Sequence, residues 1–497
     1  MRALLSTLIL TLCFTAYAQE SNVFHEGDFW KGEPTVKDIR KKIKEGHDPA
    51  EKAPSGFDGV AFAIINDAPA KSIKFMLKQE GNPVDKPTHG GIPYLLWSAY
   101  KGNVEIMQHL IEMGADTQFS SSRGTNMLLM AAIGGVENQA VYDLMFANGV
   151  DVASDNSEGG NVLHQLALSG ASDLNVFRYL VDKGLTMESV DSDGNGLVNY
   201  AARGSNLTLL RHLIGKGHDY QSINKKGENT LFQATYSRRR GKVKLEVFEY
   251  LESLGLEVDM VNWEGKSPLH NAVRFADADL IDFFIERGVN PNQIDKEGNT
   301  VLHKAVGNSA ESIEHLLAAI ADMNFQNHEG YSPLTLAVQR GSKEAFDLLV
   351  AKGADVSVLD GKGDNLMMHA FKSYSERRKE NFEYLISNLS EMPNSVDQKV
   401  FSGGNTLAHV AIDKNNSYLL QKAIELGVDL NHKNDDGVTP LHMAAMSATD
   451  EHMIQALLSA GADKKILTQY DESAYELASQ NELLIKNEVN VGFLKID

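Results

Sequence analysis

Apolar positions recur along this chain with a helical rather than a strand period. Leu269 and Ala272, Leu302 and Ala305, and Leu334 and Ala337 are each spaced i, i+3, so each short segment carries one narrow apolar stripe suited to packing between neighbours. A hydroxyl residue opens each segment, as at Ser267, Thr300 and Ser332, where it can cap a helical N–H that has no partner. Pro268 and Pro333 come next, at the helical position where a missing N–H costs nothing. Small Ala in the stripe lets the next helix approach closely. A Gly closes a second helical segment because it takes the left-handed conformation there, and a further Gly, usually behind Asp or Asn, makes a tight turn. The pattern predicts a unit of one turn and two antiparallel helices.

That unit repeats. "GKSPLHNAV" from Gly265, "GNTVLHKAV" from Gly298, "GYSPLTLAV" from Gly330 and "GVTPLHMAA" from Gly437 are versions of one sentence, with degenerate copies from Gly91, Gly124, Gly159, Gly194, Gly227, Gly363 and Gly404. The closing glycines keep step: Gly114, Gly149, Gly184, Gly217, Gly255 and Gly288 are separated by 35, 35, 33, 38 and 33 residues. The longer units take their additions between the two helices, near Val136 to Asn138, Tyr236 to Lys242, Ser373 to Glu380 and Ala448 to Glu451.

The sentence T-P-L-H at a period near 33 residues resembles the ankyrin-repeat family. The resemblance implies an all-α solenoid of about twelve repeats, each a hairpin finger plus two antiparallel helices, closed by end caps. On that frame residues 1–18 are a signal peptide, 19–52 N-terminal capping helices, 53–470 the repeat array, and 471–497 a C-terminal capping repeat and tail. No Pro-rich or Gly/Ser-rich linker interrupts it.

The first residues carry Arg2, an apolar run from Ala3 to Phe14, and Ala16 and Ala18 before Gln19. This reads as a secretory signal cut before Gln19, too short to span roughly 30 Å of hydrocarbon. A retained lipid on Cys13 is the alternative, although Leu12 stands where lipoprotein signals carry a small residue. The chain thus reads as an exported, bacterial-type ankyrin-repeat protein of the periplasm or the exterior, with no membrane span. Cys13 is the single cysteine, so the remainder has no disulfide framework. The formal charge is −20, and −21 once Arg2 is gone. Nucleic acid and anionic lipid are therefore not expected partners. The acid excess either keeps a long surface soluble or favours a basic partner.

The histidines and glycines are the residues at which catalytic or ligand-binding chemistry would show. His164, His270, His303, His409 and His442 all occupy the fourth letter of T-P-L-H, and the resemblance gives that imidazole a structural role, bonded to backbone of the adjoining turn. No H-E-x-x-H, phosphate loop or G-x-S-x-G setting occurs, and no metal or cofactor is expected. Two basic runs stand out, Arg238-Arg239-Arg240 with Lys242 and Lys244, and Arg377-Arg378-Lys379. They read either as solvated loops or as a grip for acidic groups.

The chain reads as a protein–protein interaction or scaffold module and not an enzyme, with a receptor for a small ligand or glycan as the alternative. The resemblance implies binding through a concave wall of first helices and finger tips. The residue after the T-P-L-H His faces that wall on this reading, giving Trp97, Met130, Gln165, Tyr200, Gln233, Asn271, Lys304, Leu336, His369 and Met443. Finger tips add Trp263, Tyr331 and Tyr470. Trp97, Met130, Tyr200, Trp263 and Tyr331 are the expected partner-binding anchors, since such side chains bury much area with few rotors to freeze.

Overall fold

A computed structural model describes residues 22–236, 244–275, 278–392 and 401–496. Among these residues every regular element is helical, and the β-bridges are isolated ones at the bases of hairpins, such as Val190 to Gly196 and Leu467 to Ser473. The chain divides into two compact units, Met1–Asn224 and Lys225–Asp497. Each is a stack of helix pairs joined by hairpin fingers. In the first unit the pairs run from Gly59–Ile65 with Ala70–Leu77 to Leu197–Arg203 with Leu207–Gly215. In the second they run from Thr230–Ala234 with Leu245–Ser253 to Ala474–Gln480 with Glu482–Lys486.

The fingers explain why Asp or Asn precedes the turn glycine. Asp295 Oδ1 accepts the N–H groups of Glu297 at 3.1 Å and Asn299 at 2.8 Å, while its own N–H donates to the Asn299 carbonyl at 3.0 Å. Asn262, Asn327 and Asp360 repeat this at their own turns. A short oxygen-bearing side chain closes such a turn, and the glycine within it takes the positive φ. Successive fingers are then laced by backbone: Lys296 N–H donates to Glu264 O at 2.8 Å, His328 to Glu297 O at 3.0 Å, and Gly361 to Glu329 O at 2.9 Å.

The first helix of each pair lies between fingers and second helices, so it is buried on most sides. Met127–Ile133 buries Leu128, Leu129, Ala131 and Ala132, whereas the second helix Val104–Glu112 buries only the stripe Ile106, Met107 and Leu110. Where the repeat sentence is degenerate, Asn replaces Thr as the cap. Asn126, Asn229 and Asn365 accept from Leu129, Phe232 and Met368 N–H at 3.0, 2.8 and 2.9 Å.

The described N-terminal end is covered by Phe24 and Trp30, both fully buried, with Trp30 Nε1 donating to Phe24 O at 3.0 Å. Next to it a buried ion pair joins Lys86 to Asp58 at 2.8 Å, and Tyr94 Oη donates to the same carboxylate at 2.6 Å. Burial beside that carboxylate pushes the Tyr94 phenol well above its ordinary range. At the other end Asn481 Nδ2 donates to Ala445 O and Ala448 O at 3.0 and 2.9 Å.

The insertion from Ser373 to Glu380 does lie between helices, as a 3₁₀ turn Glu376–Arg378 leading into Lys379–Glu391. It corrects one reading of the second basic run. Arg378 is no free grip, because its guanidinium donates to Gln339 O at 3.1 Å, Arg340 O at 2.8 Å and Ser373 O at 2.8 Å. These are carbonyls at the ends of Pro333–Arg340 and Leu366–Ser373, where a cation is favoured. Lys379 in turn sits 4.1 Å over the Tyr418 ring. Residues 1–18 with Cys13, and Arg238, Arg239, Arg240 and Lys242, lie outside the described residues.

Candidate protein-binding surface

The five repeat histidines are all buried. In His303, Nδ1 faces the Thr300 N–H at 3.2 Å and the Thr300 hydroxyl at 2.8 Å, and Nε2 faces the Tyr331 carbonyl of the next finger at 3.0 Å. A ring nitrogen that accepts an N–H cannot carry a proton, so Nε2–H is the donor and the ring is neutral. His270 and Asn299 O, His409 and Val438 O, and His442 and Ile466 O make the same link at 3.2, 3.1 and 2.9 Å. His164 does so with Ser189 O at 3.1 Å, under an Asn161 cap. Burial, partly opposed by the bonded carbonyl, pushes His270, His303 and His409 down to about 4, and holds His164 and His442 below the ordinary range. Both nitrogens are in use, which leaves no lone pair for a metal. Among the described residues no group of three or more His, Cys, Asp or Glu is placed to hold a metal ion, and no helix is long and apolar enough to cross a membrane.

The residue after each histidine position behaves differently from the expectation of a free wall. At Trp97, Tyr200, Lys304 and His369 it folds back nine residues onto the opening residue of its own finger. Trp97 Nε1 donates to Thr88 Oγ1 at 2.8 Å, Tyr200 Oη to Asp191 Oδ2 at 2.8 Å, and Lys304 Nζ lies 2.7 Å from Asp295 Oδ2. His369 Nε2 lies 3.2 Å from Asp360 Oδ2. Two expected anchors are corrected by their burial. Tyr200 is spent on its own finger and is 2% exposed, and Met130 sits in the core at 5%. Neither offers area to a partner, because the same burial that holds the inner helix removes them from water. Trp97 and Tyr331 are half-buried, and Trp263 is 62% exposed with its ring lying over Gly227.

In the first unit Trp97 does not stand alone. Its ring centroid is 5.1 Å from Phe57 and 6.1 Å from Tyr100, and Phe57 stacks on His89 at 4.6 Å and tilts against Phe62 at 5.6 Å. Phe57, Phe62, Trp97 and Tyr100 are each half-buried and His89 is exposed, so the rings pack on one another and keep an accessible face. Sequence reasoning missed Phe57 and His89. Both flank turn glycines, Gly56 and Gly90, and comparing finger residues across copies would have found them.

In the second unit a cleft of about 870 Å³ opens between two fingers and the first helices behind them, bordered by Met443, Met446, Tyr470, Asp413, Asp436 and Glu472. Lys372 also borders it, but is held by Asp364 and by Ser402 Oγ at 3.0 Å. Burial raises the Asp364 carboxyl, yet the hydrogen bonds from Lys372 and Ser402 outweigh it and the net shift is downward. The Ser402 hydroxyl donates to Asp364 Oδ2 at 3.0 Å while accepting from Lys372, so both groups serve that carboxylate and do not form a nucleophile and general-base pair.

Against this geometry, a profile described as ankyrin repeats in three copies matches residues 95–191, 197–295, 231–324, 307–397 and 368–468. The matches span well over half of the chain, which belongs to the ankyrin-repeat family. Ankyrin repeats are protein–protein interaction modules. Among similar proteins, the B-cell lymphoma 3 protein homolog of Mus musculus is 28% identical over 194 residues, covering 38% of this chain and 42% of that protein. The nuclear factor NF-kappa-B p105 subunit of Gallus gallus is 28% identical over 279 residues, 55% of this chain and 24% of that protein. The chain spans less than half the length of these curated relatives. A crystal structure of the human ASB11 ankyrin repeat domain is 24% identical, with a TM-score of 0.37, covering 47% of this chain and 99% of that one.

Proposed function

We propose that this chain is an exported scaffold that holds a protein partner on the concave inner faces of its repeats. In this reading residues 1–18 are a cleaved signal, residues 19–52 and 471–497 cap an array over 53–470, and the protein works in the periplasm or outside the cell. The observation that carries the binding reading is the accessible aromatic cluster of Trp97, Phe57 and His89. Half-buried rings that pack on one another and keep an accessible apolar face mark interaction sites, and aromatic side chains supply most interface anchors. The net charge of −20 supports a basic partner. The test is cross-linking mass spectrometry on protein taken from its native compartment. Partner cross-links are expected at lysines ending first helices, such as Lys101 and Lys414, with a chain that begins at Gln19 and carries no lipid. Cross-links confined to second-helix lysines such as Lys74 and Lys352, or an acylated Cys13, would overturn the corresponding half of the proposal.

A further inference from the structure

The cleft in the second unit has a composition that the aromatic cluster of the first unit lacks. Its apolar part is Val410, Val438 and Leu477 with Met443 and Met446, the last 45% exposed, and its outer wall is Tyr470, 75% exposed at a finger tip. Flexible thioethers adapt to aliphatic side chains of varied shape. Around them stand the carboxylates of Asp413, Asp436 and Glu472, and among the described residues none of the three has a cationic partner within ion-pair distance. Of the two lining lysines, Lys372 is neutralised by Asp364, which leaves Lys414 against three acids. An opening of this size holds a few side chains with their backbone rather than a folded domain.

We infer that this cleft takes an extended segment of a protein partner bearing an arginine or lysine beside an aliphatic residue. The aliphatic side chain packs on Met443 and Met446. The cation lies over the Tyr470 ring, with Asp436 and Glu472 as its counter-charges, an arrangement that combines cation–π attraction with ion pairing. The inference rests on the inner face being the binding surface and adds the partner's chemistry and its place in the C-terminal repeats.

The test is to select a random linear peptide library on the full-length protein. Enriched peptides are expected to share a basic residue next to an aliphatic one. Their Kd is expected to rise about tenfold or more on the triple variant D413N/D436N/E472Q and on Y470A, and to rise with salt as an ionic contact does. Asp413, Asp436 and Tyr470 are exposed and Glu472 is half-buried, so the core stays intact, which thermal melts check. Lys74→Ala, on a second helix of the other unit where it pairs with exposed Glu105, is expected to leave peptide binding unchanged. Peptides without a basic residue, peptides retained fully by the triple variant, or no enrichment would each overturn the inference. If cross-links nevertheless fall on first-helix lysines, inner-face binding survives and only the cleft assignment fails. Cross-links confined to second helices with intact peptide selection would mean the reverse.

Discussion

The imidazole of His303 has no spare atom, since Nδ1 takes the Thr300 N–H and Nε2–H reaches the Tyr331 carbonyl of the next finger. Replacing it by Ala leaves buried groups of two repeats unpaired, so His303→Ala is expected to cost about 1 to 3 kcal/mol, read from unfolding curves by circular dichroism. The same site carries a pH dependence. His270, His303 and His409 are held down to about 4 in the folded chain against an ordinary 6.5, so between these values the unfolded chain binds protons that the folded chain refuses. Stability is therefore full above about pH 6.5 and is lost as the pH falls toward 4. The denaturant midpoint is expected to be lower at pH 5.5 than at pH 7, and His303→Asn to flatten that slope. An unchanged slope would mean that other groups set it. The register of the sentence T-P-L-H groups these histidines by itself. It could not reveal that the next residue reaches back nine positions, because Trp97 and Thr88, or Lys304 and Asp295, meet only when the finger folds onto the helix. For that reason Tyr200 reads as surface when it is core, and Met130 does so because tertiary packing buries it.

A repeat is held to its neighbour through its finger as well as through its buried first helix, and the closeness of the finger contact can be measured at one glycine. Gly330 has φ +80, and a Cβ there would lie 2.1 Å from the Gly361 nitrogen, whereas Gly353 has φ +94 and nothing within 4 Å of the added atom. Both substitutions to Ala pay the left-handed cost of about 1 to 2 kcal/mol, but only Gly330→Ala must also push two fingers apart. It is expected to destabilise more than Gly353→Ala in matched denaturant titrations, and equal losses would show that the fingers yield freely. The helices, their caps and the sites of insertion all follow from local spacing, since each is decided within a few residues. The clasp made by Arg378 does not, because two of its carbonyl partners lie 38 and 39 residues earlier. Nothing around the run Arg377-Arg378-Lys379 marks it as a bridge between repeats.

Each of the two units carries an accessible large aromatic on its inner elements, and each can be tested by itself. Trp97 presents one ring face while Phe57 and Thr88 hold the rest, and Trp263 is 62% exposed above Gly227. A rigid ring already fixed by its neighbours loses little entropy on binding, which is the property that concentrates binding energy in a few residues. Against the partner recovered by cross-linking, Trp97→Ala and Trp263→Ala are each expected to weaken binding by about 2 kcal/mol or more. Lys304→Ala is a poor control, because Lys304 neutralises the fully buried Asp295 carboxylate. Lys352→Ala serves instead: it pairs only with exposed Glu314 on a second helix, and its effect is expected to stay under about 0.5 kcal/mol. Trp97→Ala also removes a ring that packs on Phe57, so its melting curve must be compared with that of Trp97→Phe, which keeps an aromatic face but drops the bond to Thr88. Weakened binding in folded Trp97→Ala with most affinity kept in Trp97→Phe would place the contact on the ring face. If both alanine variants stay folded and bind as tightly as the parent, these aromatics are not the anchors, and the acidic cleft between Asp436 and Glu472 becomes the principal contact.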